Sequence, residues 1–172
     1  FPPVPGDGVG IAGGAGGPSV AIADAFAEAG LKVPRLTKAS YDELASFFSL
    51  IGGGYRNPID TGNANRREIK RIMEILERDA TIDSLVLLTG SRWGMIATPE
   101  SDFQLLDEIR KMTSKPVMAI VPFVTPEEMK ESREATRKFQ ERGVAAFPSI
   151  ERSACALKNS LDYYRYKNGV SD

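Results

Sequence analysis

The residues best suited to chemistry in this chain are glycines. The run Ala12–Gly–Gly–Ala–Gly–Gly–Pro–Ser19 follows a short apolar stretch, Val9–Ala12, and runs into a helical pattern. Glycines between a strand and a helix leave the first helical N–H groups uncovered by side chains. With the positive end of the helix dipole, those donors form an anion site suited to phosphate. Ser19 adds a hydroxyl, and the candidate phosphate-binding residues are Gly13, Gly14, Ala15, Gly16, Gly17, Pro18 and Ser19. The plain alternative is a tight strand-to-helix turn without a ligand, but such a turn rarely needs so many glycines. The usual side-chain catalysts are missing: the chain has no His and a single cysteine, Cys155. That excludes a Ser-His-Asp triad, a His-ligated metal, an internal disulfide and a Cys-based zinc site. No catalytic residue and no metal ligand is assigned.

Several named phosphate loops do not fit. Gly8, Gly10 and Gly13 match G-x-G-x-x-G, but Val9 and Ile11 belong inside the strand. The later frame Gly14-x-Gly16-x-x-Ser19 lacks the third small residue, and Val33–Leu36 lacks the acid that a dinucleotide site wants after its second strand. There is no G-x-x-x-x-G-K-[ST]. Ala12 and Gly13 stand where a receiver domain needs acids, and an FMN loop would use more hydroxyls than Ser19.

The elements that must position this loop alternate between strand and helix. Val9–Ala12 reads as a strand, and Pro18–Ala29 as a helix with Pro18 in its first turn and Gly30 just past its end. Its many alanines suggest a helix wedged closely between neighbours. A brief strand is expected near Lys32–Leu36, then a helix over Ser40–Leu50 with Ser40 as N-cap. Ile69, Ile72, Met73 and Leu76 make Arg66–Arg78 the cleanest amphipathic helix. Ser84–Leu88 and Val117–Val121 read as strands buried on both faces. Thr98–Pro–Glu100 and Thr125–Pro–Glu–Glu128 are helix starts, the second with a capping box. Gly143–Phe147 is the last strand, and Ile150, Ala154, Leu157, Leu161 and Tyr164 form one stripe of the closing helix.

The sum is an α/β chain. The expected architecture is a flavodoxin-like three-layer sandwich, a parallel five-stranded sheet with helices on both faces. Ligands of such sheets bind outside the carboxyl ends of the strands. That places Gly13–Ser19, Thr89–Gly94 and Pro122–Thr125 on one edge. Asn57–Pro–Ile–Asp60 lies in a long loop, where Asn57 and Asp60 are equally readable as an Asx-type turn and as functional groups. Ser91, Arg92 and Trp93 follow a strand and suit an interface or anion contact. Cys155 is expected buried or half-buried, and Tyr163, Tyr164 and Tyr166 are expected to pack the last helix.

At 172 residues, with 42% hydrophobic and 26% charged residues, the chain has room for one domain with a real core. That domain is placed at residues 8–168, after a linker over 1–7. The 22 Lys+Arg and 23 Asp+Glu leave a net charge of -1 and no basic field for nucleic acid. No apolar stretch approaches a membrane span, the first residues carry no targeting signal, and a lone thiol fits a reducing compartment; a cytoplasmic location is expected. A chain that starts at Phe1 reads as a segment of something larger.

Taken together, several motifs resemble a known family. Gly13–Ser19, then Ala23–Asp24, then Arg56–Asn–Pro–Ile–Asp60 is similar to the succinyl-CoA-ligase-like flavodoxin domain of NDP-forming (ADP-forming) acyl-CoA and acetyl-CoA synthetases. Lys115–Pro–Val117 and Phe147–Pro–Ser–Ile–Glu–Arg152 fit the same domain, so the match runs from about Gly8 to about Tyr166. Gly14 stands where that family commonly has Asn, and Ser19 where it commonly has a final Gly. The resemblance implies a reaction in which acid, CoA and NTP give acyl-CoA, NDP and phosphate through an acyl phosphate and a mobile phosphohistidine. It implies that this domain supplies one of two opposed helix N-termini that hold the phosphohistidine and is catalytically silent alone. CoA-binding and ATP-grasp domains or subunits would be its partners, in a full enzyme that is an oligomer. The full enzyme would use Mg and ATP or ADP, with CoA as substrate, and this domain would bind no cofactor by itself. The rival readings are a non-catalytic anion-binding or regulatory module on the same fold and, more weakly, a small FMN-binding domain.

Overall fold

The computed structural model describes residues 2–14, 17–49, 55–62, 64–89 and 99–169. Four parallel strands, β1 (Val9–Ala12), β2 (Ser84–Leu88), β3 (Val117–Ile120) and β4 (Ala145–Phe147), form one sheet in the order β1-β2-β3-β4. Among the described residues, six helices connect and cover them: α1 (Gly17–Glu28), α2 (Lys38–Phe47), α3 (Arg66–Arg78), α4 (Pro99–Met112), α5 (Pro126–Glu141) and α6 (Ile150–Lys167). Strand side chains alternate between two apolar layers. Val9, Ile11, Val86, Met118 and Ile120 pack with Ile22 and Phe26 of α1 and Ala154, Leu157 and Leu161 of α6. Ala12, Leu85, Leu87, Val117 and Ala119 face the other layer, built from α2 to α5. Helices therefore cover both faces. Val4, within the stretch read as a linker, is buried in the first layer, and Asp7 pairs with Lys32 and Arg165.

Among the described residues the sheet has four strands, not the five expected. The missing strand is Lys32–Leu36, which makes one bridge, Lys32 to Gly8. A parallel edge strand bonds through every second residue, so the next donor to β1 after Lys32 is residue 34. That residue is Pro34, which has no N–H, and the ladder stops there. Further along β1 a second bridge joins Ala12 to Ile59.

Local signals place most helix starts. Thr125 and Glu128 form the expected capping box of α5, and Asn65 with Glu68 forms another on α3. Thr37, not Ser40, caps α2, accepting from the Ser40 N–H, and Ser40 lies inside the helix. Lys115 closes the other end of α3, where its Nζ donates to the Glu77 carbonyl and, at 3.3 Å, to that of Asp79. The alanine-rich α1 is less enclosed than expected: it buries Ile22 and Phe26 and leaves Val20 62% exposed. It has α6 beside it on this face and no helix on its other flank among the described residues.

Candidate functional site

The glycine loop leaves the carboxyl end of β1 in backbone conformations that residues with side chains rarely adopt. Gly13 has φ +118° and Gly14 φ +79°. A Cβ on Gly13 would sit 2.5 Å from the Leu88 carbonyl oxygen, and one on Gly14 would sit 3.2 Å from Leu88 Cδ2. The end of β2 therefore demands glycine at Gly13. Ala15 and Gly16 lie outside the described residues. At Gly17, where α1 opens, a Cβ would meet nothing within 4 Å, so this point faces open space.

The first turn of α1 contains no acidic residue, and Gly16 before it has no side chain with which to cap it. Pro18 lacks an N–H, which leaves the amides of Gly17 and Ser19 as the described donors of this terminus. The Ser19 Oγ is buried and has no hydrogen-bond partner among the described residues. A buried hydroxyl and two amides at the positive end of a helix dipole can hold a small anion.

The loop at residues 55–62 lies against these glycines. Gly13 N donates to the Ile59 carbonyl at 3.0 Å, Ile59 N to that of Ile11 at 2.8 Å, and Thr61 N to that of Gly14 at 3.3 Å. The structure thus brings the segment that carries Asn57 and Asp60 against Gly13 and Gly14. Asn57 does not turn back on its own backbone: its Oδ1 accepts from Ile11 N at 2.9 Å and its Nδ2 donates to the carbonyls of Val9 at 2.7 Å and Pro34 at 3.2 Å. Asp60 Oδ1 accepts from Gly62 N at 2.8 Å, the Asx-turn arrangement. Ser91, Arg92 and Trp93 lie outside the described residues.

Elsewhere on the carboxyl edge, Thr89 is buried and donates through Oγ1 to the Ile120 carbonyl at 3.0 Å. Val124 is 87% exposed, and its N–H donates to Glu128 Oε2 at 2.7 Å. Two expectations about α6 are corrected. Cys155 is exposed, because it falls off the stripe that buries Ala154, Leu157 and Leu161. Tyr163 and Tyr166 are exposed for the same reason, and Tyr164 alone of the three reaches the core layer. An open groove of about 700 Å³ beside α3, lined by Phe47, Arg67, Lys70 and Arg71, includes no residue of the glycine loop.

A second helix terminus carries an anion of the protein's own. Asp79, buried after α3, accepts at Oδ2 from Thr37 N and Thr37 Oγ1, both at 2.8 Å. Its Oδ1 accepts from Thr81 N at 2.9 Å and Thr81 Oγ1 at 2.7 Å. Burial opposes the charge, but hydrogen bonds from Ser40, Thr81 and Thr37 outweigh it and hold the carboxyl well below the usual carboxylate range. Sequence reasoning passed over both Asp79 and the strand-bridging role of Asn57. Pro34 was the available signal for the second, since a proline argues against a continued ladder.

No protein-family model matches the chain, and no curated protein matches it in sequence. Solved structures do. PH0766 from Pyrococcus horikoshii OT3 is 27% identical with a TM-score of 0.75, over 99% of this chain and 38% of that one. The dinucleotide-forming acetyl-coenzyme A synthetase 1 of Ca. Korarchaeum cryptofilum, in its apo form, is 23% identical with a TM-score of 0.77, over 98% of this chain and 36% of that one. Its complex with phosphate and ADP is 24% identical with a TM-score of 0.77, over 98% of this chain and 35% of that one. These likenesses establish the fold across nearly the whole chain. They include synthetases of the kind that the sequence motifs resemble, and the chain spans little more than a third of their length.

Proposed function

We propose that this chain is a domain of an NDP-forming acyl-CoA synthetase, and that the N-terminus of α1 receives phosphate or a phosphohistidine carried on another domain. The observation that carries the reading is the start of α1. Its first turn lacks an acid, the residue before it is Gly16, and a buried Ser19 hydroxyl waits there without a partner among the described residues. Likeness to a synthetase solved with phosphate and ADP supports the same assignment. The domain's part would be electrostatic: amide dipoles fixed in place stabilise a phosphoryl group without moving a proton or forming a bond. The acid, CoA, the nucleotide with its Mg and the histidine would be handled by CoA-binding and ATP-grasp domains, so this domain alone would form no acyl-CoA.

Titration of the ¹⁵N-labelled protein with inorganic phosphate tests the reading. The expected result is saturable shifts of the Gly13, Gly14, Gly17 and Ser19 amides, with the rest of the sheet unmoved. Phosphate that shifts no amide of this loop would overturn it.

A further inference from the structure

Beyond the anion site itself, the outer edge of β1 is satisfied in an unusual way. In a parallel ladder, successive partners of β1 must bridge Gly8, Gly10 and Ala12. At Gly8 the partner is Lys32, whose N–H donates to the Asp7 carbonyl while Val9 N donates to the Lys32 carbonyl, both at 2.8 Å. At Ala12 it is Ile59, through the bonds from Ile59 N to Ile11 O and from Gly13 N to Ile59 O. Between them, Gly10, which pairs with Leu85 of β2 on its other side, has no backbone bridge on this outer edge among the described residues. The donor to Val9 O and the acceptor for Ile11 N are instead the two ends of one side chain, the carboxamide of Asn57. A carboxamide has the donor and acceptor of a peptide group, and here it stands in for the rung that Pro34 cannot supply. Its second N–H ties that rung to the Pro34 carbonyl.

We propose that Asn57 is a positioning residue for the glycine loop: its carboxamide completes the edge ladder of β1 and so fixes the direction from which Gly13 and Gly14 turn to the first amides of α1. Ile59, two residues on, bonds Gly13 itself, and Thr61 bonds Gly14, so the segment Asn57 anchors also holds both glycines. Asparagine suits the position because it donates to Val9 O while accepting from Ile11 N. An ionised aspartate keeps the acceptor and turns an oxygen on two carbonyls. A protonated aspartic acid regains one donor.

The inference rests on the anion-site reading for its functional consequence, and its test separates the two. Sulfate, whose charge is constant from pH 4 to 8, is titrated into the wild type, Asn57→Ala, Asn57→Asp and Leu161→Ala, with loop amides read by NMR. Leu161 is buried in the α1–α6 layer towards the far end of α6 and serves as a destabilised control. The expected result is sulfate affinity about tenfold weaker in Asn57→Ala, the size of one lost net hydrogen bond, and within about twofold of wild type in Leu161→Ala. Asn57→Asp is expected to bind weakly at pH 8 and to recover towards pH 4. Wild-type affinity in Asn57→Ala, or equal weakening in Leu161→Ala, overturns the proposal. Should Asn57→Ala not fold, the pH recovery of Asn57→Asp decides. Should the wild type bind no sulfate, the anion-site reading fails, and the Gly13 and Gly14 amides of Asn57→Asp decide this one without anion: movement towards wild-type shifts on acidification supports it, and no movement overturns it.

Discussion

At the start of α2, the N–H of Thr37 donates to a buried carboxylate, Asp79, which Thr81 also holds through two bonds. At the start of α1, the amides of Gly17 and Ser19 follow a glycine, and no acid stands in the first turn. The capping boxes of α3 and α5 answer their own donors with Asn65 and Glu68, and with Thr125 and Glu128. All these helices end in the same partial positive charge. Three of them neutralise it from within, and α1 is arranged so that the counter-charge can come from outside. The comparison sets a structural anion beside the site proposed for a mobile one. The anion that stays is a side chain with every lone pair used, and the proposed mobile one would be met by two backbone amides and the Ser19 hydroxyl.

The sharpest way to break the comparison is at the glycine that sets the approach to α1. Gly13→Ala meets both a positive φ and a carbonyl oxygen 2.5 Å from the new Cβ. The expected loss is about 3 kcal/mol or more, read as a fall in the denaturant midpoint at unchanged slope, together with loss of the phosphate-dependent amide shifts. Gly17→Ala, with open space around its Cβ, is the matched control and should leave stability within about 1 kcal/mol of wild type. Equal behaviour of the two variants would mean that the loop does not have this shape.

Next in size is the anion that α2 already has. Asp79→Asn keeps the volume but turns an amide group on at least one of four donors, with an expected cost of about 2–3 kcal/mol. The sign with pH follows from its depressed folded-state pKa. The stabilisation is complete above the unfolded value of about 4 and is lost as pH falls from there towards the folded one. Denaturation midpoints measured from pH 6 downward should fall more steeply below pH 4 in the wild type than in Asp79→Asn. Parallel curves would remove Asp79 from this account. Phosphate shifts at the glycine loop should survive the substitution while the protein is folded, since the two termini use different anions.

What the sequence showed of all this follows the range of the interactions. The amphipathic stripe of Arg66–Arg78, the apolar runs read as Ser84–Leu88 and Val117–Val121 and the Thr125–Glu128 capping box depend on residues close by in the chain, and each lies where periodicity or spacing puts it, the second strand ending one residue early at Ile120. The strand expected at Lys32–Leu36 fails because β propensity says nothing of a missing donor until the partner strand is known, although Pro34 was visible. Asn57 was legible as a chemically capable residue but not as a rung of the sheet, since its partners Val9 and Ile11 lie 48 and 46 residues away. Asp79 was hidden for the same reason: Thr37 is 42 residues distant. Cys155 and Tyr166 fall close to half a helical turn from the buried stripe of α6, on the face turned to solvent.

The smallest change is also the most pointed, because it would make α1 resemble the other helices. Gly17 is the first residue of α1, and its Cβ position is open, so an acid fits there without displacing anything. A carboxylate in the first turn interacts favourably with the helix terminus, by about 0.3–1 kcal/mol at low salt. The same charge sits where a phosphate would bind and repels it. Gly17→Asp is therefore expected to be slightly more stable than wild type, with a midpoint shift that shrinks as salt is added, and yet to lose the phosphate-dependent shifts of Gly13, Gly14 and Ser19. Stability and binding should move in opposite directions at one residue. A variant that gained stability and still bound phosphate with wild-type affinity would place the anion elsewhere than the start of α1.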